Sequence, residues 1–200
     1  IVTRSQFALP VAGAFLGMYM TERLAELWNG RDRGTGYWLL FVCKMCVCLT
    51  IAIQAGYDLR LAVTDEIRCR EDEQKTQLLL ERLAQTDGDG LPQLPVVFVG
   101  YQEADLPEWC RRTEMYGWSF YGWDYSMENP TGATHRICGF VQAYTGNVLR
   151  EDATEEQKRH AVELAGQMKD FPEEGSVLVT EDCVVVRLSD ITEQMRTDWW

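Results

Sequence analysis

Residues 37–55 read YWLLFVCKMCVCLTIAIQA, and this stretch decides the architecture. Lys44 is its only charged residue. A helix rises about 1.5 Å per residue, so a run of this length covers roughly 28 Å, close to the hydrocarbon thickness of a bilayer. Past Gly56 the chain turns polar and acidic. Residues 1–56 carry a net charge of +2 and residues 57–200 one of −14. The sequence therefore predicts membrane helices in 1–56 and a separate polar domain after them. So acidic a domain repels phosphates, which sets nucleic acid aside as a partner. The chain opens Ile1-Val2-Thr3, with no charged leader ahead of a cleavable apolar core, and reads as the C-terminal part of a longer membrane protein.

Working outward, residues 7–28 form a second membrane candidate, whose apolar part, Phe7 to Met20, is shorter. It is rich in Ala and Gly to Met20, after which Glu22, Arg23 and Glu26 follow. It reads either as a helix that crosses by packing against neighbours through small residues, or as one lying at the interface. Residues 29–36, NGRDRGTG, read as a loop. Arg31 and Arg33 in so short a loop mark the cytoplasmic side, so that 37–55 runs outward and the acidic domain lies outside the cell. Residues 57–85 continue as a helix with Leu and Ile among charges, and the pattern suggests an amphipathic stalk. Asp87-Gly88-Asp89-Gly90 stops it, which gives a stalk and linker over 57–90 and a domain over 91–200.

Within that domain PVVFVG (95–100) reads as a buried strand and DLPEW (from Asp105) as the start of a short helix to 113. GWSFYGWDY (117–125) is an aromatic segment, and NPTG (129–132) a loop. Residues 133–144 place Ile137, Phe140, Val141 and Tyr144 at helical spacing. Thr154-Glu155-Glu156-Gln157 matches a capping box and opens a helix to about Met168, with Ala161, Leu164, Ala165 and Met168 inward. SVLV and CVVVRL around Glu181-Asp182 read as a terminal β-hairpin. The expected fold is α/β: one or two N-terminal membrane helices, a helical stalk, and a small C-terminal domain.

Chemistry-bearing motifs are few. No G-x-S-x-G, Walker loop or G-x-G-x-x-G occurs. Cys43, Cys46 and Cys48 lie within the apolar helix and behave as small hydrophobes, without a second ligand pair for a metal. His160 sits among Lys158, Arg159 and Glu163 on a solvated face, and Glu173-Glu174 reads as a charged loop rather than a catalytic pair. The densest patch is Trp118 to Tyr125. Aromatic faces stack on pyranose rings and a carboxylate accepts hydroxyl hydrogen bonds, so Trp118, Trp123 and Asp124, with His135 after the loop, are the candidate sugar contacts. The competing reading makes the same aromatics the core of a small domain. No catalytic residue, metal or cofactor is assigned.

The C-terminal pattern resembles the bacterial Gtr type II family, the membrane glucosyltransferases related to the serotype-converting O-antigen enzymes. The resemblance rests on the stalk into Pro95-Val96-Val97-Phe98-Val99-Gly100, on Ser119-Phe120 with Trp123-Asp124, and on Arg136 to Gly146. It is most specific in Met168 to Val177 and in Cys183 to Leu188. Lys169-Asp170-Phe171 departs from the family, which usually has Pro and an aromatic close together there. The resemblance implies a multi-spanning cell-membrane protein with an extracytoplasmic C-terminal domain. Its partners are then membrane lipid, a polyprenyl-phosphate-linked glucose donor and a surface-polysaccharide acceptor. It implies catalytic acids in loops upstream of these residues. Two rival readings remain: a non-enzymatic membrane-anchored binding module, and a sensing ectodomain that transmits movement through its stalk.

Overall fold

The structure, a computed structural model, describes residues 8–28, 33–87, 90–110, 112 and 117–191. It is a mixed α/β protein with four helices and three strands among these residues: α1 (Ala8–Trp28), α2 (Arg33–Asp87), β1 (Val96–Val99), α3 (Ala133–Thr145), α4 (Glu155–Ala165), β2 (Val177–Val179) and β3 (Val184–Arg187). The chain divides into two compact units. One contains α1 and α2 up to Thr64; the other begins at Asp65 and takes in the rest of α2 with the sheet, α3 and α4.

In the first unit Gly17 lets α1 approach α2 closely, since a Cβ there would lie 3.2 Å from Val47 Cγ2. Small residues serve this purpose where two apolar helices meet. Thr21 folds its hydroxyl back onto the Gly17 and Met18 carbonyls, which keeps a polar group satisfied on an apolar surface. The stretch Phe41–Thr86 contains a window of mean hydropathy 1.4, none of it buried. Among the described residues this is the one helix long and apolar enough to cross a membrane. The composition supports membrane association, and the apolar part is its first half, before Asp58. The second half of the expected loop at 29–36 is helical instead. Arg33, Gly34 and Gly36 already belong to α2, where first-turn N–H groups have no intrahelical partner and glycine costs little. Phe7 and the remainder of that loop, with Arg31, lie outside the described residues.

The second unit is three-layered. Its sheet has the order β1-β3-β2, with β1 parallel to β3 and β2 antiparallel to it. Successive side chains of a strand face opposite ways. Val96, Phe98, Val184 and Val186 pack on one side against Leu79 and Leu83 of α2 and Ile137 and Val141 of α3. Val97, Val99 and Val185 pack on the other against Ala161 and Ala165 of α4. A parallel pair buried on both faces reads as a near-continuous apolar run, which is why β1 is Val-Val-Phe-Val and β3 opens with three valines before Arg187. Thr134 bonds the Phe98 backbone N–H and carbonyl and so fixes α3 on β1.

The capping box at Thr154 and Gln157 forms as expected. The helix it opens stops at Ala165 rather than Met168, because Arg187 Nη1 donates to the Ala165 and Met168 carbonyls and closes the last turn. The hairpin also forms, but its connection spans 180–183, where the Cys183 N–H donates to Thr180 Oγ1. No helix forms over 101–110. There α2 recruits the backbone instead: Lys75 Nζ donates to the Glu103 carbonyl, and Glu71 accepts from the Asp105 N–H.

Candidate functional site

The aromatic segment is held in place by one buried carboxylate. Arg68, Asp72, Thr76, Leu79 and Leu83 follow one another at spacings of three and four, so they line one face of α2, and all are buried. Asp72 Oδ1 accepts from Ser119 Oγ at 2.6 Å and Oδ2 from the Phe120 N–H at 2.9 Å. Ser119 Oγ accepts in turn from the Tyr121 N–H, and the Tyr121 hydroxyl meets Thr76 Oγ1 at 2.8 Å. Arg68 bridges Asp65 at 2.7 Å and Asp72 at 3.5 Å. Burial pushes the Asp72 carboxyl above the ordinary aspartate range, opposed by the bonds from Ser119 and Phe120 and by the nearby Lys75 and Arg68 charges. The same burial lowers Lys75, opposed mainly by Asp72 and Glu71.

From this anchor a row of rings runs along one flank of α3. Phe120 stacks on Phe140 with centroids 4.6 Å apart, Phe140 on Tyr144 at 6.0 Å, and Trp123 on Phe120 at 6.1 Å. Arg136, Phe140 and Tyr144 recur every four residues, which aligns them on one helical face. Guanidinium groups lie over two of the rings, Arg68 over Phe120 at 4.7 Å and Arg136 over Trp123 at 5.2 Å. Because the rings stack on one another, much of their face area is already in contact.

Asp124 occupies the left-handed region at φ 67° and accepts from Arg136 Nε at 2.6 Å. The Asp124 carbonyl would sit 2.0 Å from a Cβ at residue 132, so Gly132 is required for the chain to double back into α3. That close return brings Trp123 and Asp124 to Arg136.

Of the four residues singled out from the sequence, Trp123 and Asp124 therefore share Arg136. His135 lies on the other flank of α3, with Nδ1 2.8 Å from Glu151 Oε2. Trp118 is half-buried. Sequence reasoning passed over Asp72, whose Arg68-Asp72-Thr76 spacing looks like any solvated helical face, and Glu151, which only the return of 148–152 brings to His135. Glu173, Glu174 and His160 are exposed. All seven cysteines are free, and burial pushes the Cys138 thiol up to about 12, which keeps it neutral. Among the described residues no group of three His, Cys, Asp or Glu is placed to hold a metal ion.

No protein-family model, no curated protein and no solved structure matches this chain.

Proposed function

We propose that the chain is the C-terminal membrane segment and extracytoplasmic α/β domain of a multi-spanning, polyprenyl-phosphate-glucose-dependent glucosyltransferase that modifies a surface polysaccharide. The catalytic acids of such an enzyme belong to outer loops upstream of these residues, and the domain described here shapes the approach of the acceptor. One observation carries the reading. The residues behind the family resemblance are those that build a single domain on a helix whose other half is apolar. Pro95–Gly100 supplies β1, Cys183–Leu188 supplies β3 beside it, Ser119-Phe120 is clamped by Asp72, and Trp123-Asp124 meets Arg136. Asp124 and Arg136, exposed at the end of the aromatic row, support hydrogen bonding to a polyhydroxylated ligand. The outward orientation rests on the Arg31 and Arg33 charge bias.

The test is glucose transfer from labelled polyprenyl-phosphate glucose into polysaccharide, using membranes that contain the full-length protein. Transfer is expected, and Trp123→Ala is expected to lower it without loss of folded protein. Membranes that make the polysaccharide yet transfer no glucose from this donor would overturn the proposal and favour a membrane-anchored binding ectodomain.

A further inference from the structure

On the flank of α3 away from the aromatic row, a groove of about 370 Å³ separates the helix from the returning segment 148–152. This lies within the range of roughly 300–1,000 Å³ usual for small-molecule sites. Its apolar surface comes from Gly139, Leu149 and Val148, the last an exposed side chain. Its rim is made of planar polar groups: the His135–Glu151 pair, the Gln142 amide, and Arg150 bound through two nitrogens to Asp152. Among the described residues, neither His135 Nε2 nor the Gln142 side-chain amide has a protein partner.

Gly139 is the informative residue. A glycine inside a helix costs about 1 kcal/mol relative to alanine. Close approach usually explains such a glycine, but here a Cβ would meet nothing within 4 Å. Packing does not demand it. What a side chain at 139 would do is fill the groove.

The rim also selects a ligand class. Arg150 is already matched by Asp152, and Glu151 adds a second carboxylate beside His135, so no cation is left over for an anionic ligand. Imidazole, amide and carboxylate groups together both donate to and accept from hydroxyls. We infer that this groove is a binding subsite for a neutral, polyhydroxylated saccharide, with Gly139 keeping it open. Its assignment to the acceptor strand rests on the transferase reading above; the binding itself does not.

The experiment is calorimetric titration of the full-length protein in lipid nanodiscs. The probe is neutral oligosaccharide released by mild acid from the surface polysaccharide of the source cells. The wild type is expected to bind. Gly139→Leu is expected to weaken binding at least about tenfold, while its melting temperature stays level or rises because leucine is the better helix former. Gln142→Ala, which removes one hydrogen-bonding group, is expected to weaken it about three- to tenfold. A wild type that does not bind, or a Gly139→Leu variant that is folded and binds equally well, overturns the groove. Gly139-dependent binding in a protein that transfers no glucose would sink the transferase reading and leave the groove standing. Full transfer without such binding does the reverse.

Discussion

The two halves of α2 obey opposite rules. In the first half the apolar side chains are outside: Leu49 is 62% exposed and Ile53 57%. In the second the polar ones are inside, with Asp72 and Thr76 both at 0%. Water would penalise the first surface by roughly 25 cal/mol for every Å² of apolar area left in contact with it. A plain hydrocarbon core would penalise the second, because a buried carboxylate has to be paired and hydrogen-bonded. Each half is suited to a different surrounding, an apolar one for the first and a hydrogen-bonded domain for the second. The comparison teaches that helical periodicity alone is a poor guide to what a helix faces. Residue chemistry at the recurring positions decides it.

The sharpest way to break the contrast is at Asp72. Asp72→Ala leaves Ser119 Oγ and the Phe120 N–H without their acceptor and Arg68 with Asp65 alone. Loss of one partner from such a buried set costs about 3–5 kcal/mol. Thermal unfolding of the domain in detergent should show a loss of that size; a fall below about 1 kcal/mol would mean the carboxylate anchors nothing. Next comes the apolar half. Leu49→Asp should disfavour membrane insertion by about 3–4 kcal/mol, read as the fraction integrated into microsomes, and undiminished insertion would show that this half does not span.

A smaller loss, about 1–2 kcal/mol, is expected for Thr76→Val, which strands the Tyr121 hydroxyl in the core. Unfolding in denaturant checks it, and an unchanged midpoint would argue against the Thr76–Tyr121 bond. The subtlest effect is a pH slope. The folded pKa of Asp72 is raised above the unfolded value of about 3.9. The folded state thus holds this proton more tightly than the unfolded chain does. Its contribution is fully present below the unfolded pKa and is lost as pH rises through the folded one. Subtracting the stability of Asp72→Asn from that of wild type should leave a difference that declines with rising pH over this window. A difference that grows instead would mean the hydrogen bonds outweigh burial.

Much of the fold was legible because it is local. The apolar run at 37–55, the valine runs, and Thr154 with Gln157 three positions on each carry their own physics. The pairing of β1 with β3 was not legible. β1 is apolar throughout and β3 is apolar up to Arg187, so neither shows an alternation that would mark one face or set a register, and the segments that bring them together are long. At the site, Trp123-Asp124 and Arg136 were within reach of sequence reasoning because the Asn129–Gly132 turn makes them near neighbours. The clamp on Ser119 was not, because burial of a helical carboxylate depends on a loop that returns to it from residues 119 and 120. The stacking of Phe120 on Phe140 had the same cause. An aromatic segment announces that rings are present, and only the returning helix decides whether they face a ligand or one another.

The sheet order has a consequence for synthesis. β3 is the last of the three strands to be made, yet it lies between the other two. β1 and β2 therefore have no neighbour to pair with until residues 184–187 have emerged from the ribosome. At about 5–20 residues per second, β1 waits on the order of ten seconds for its partner. During that time Val96–Val99, apolar on both faces, is the segment of this domain most in need of a chaperone.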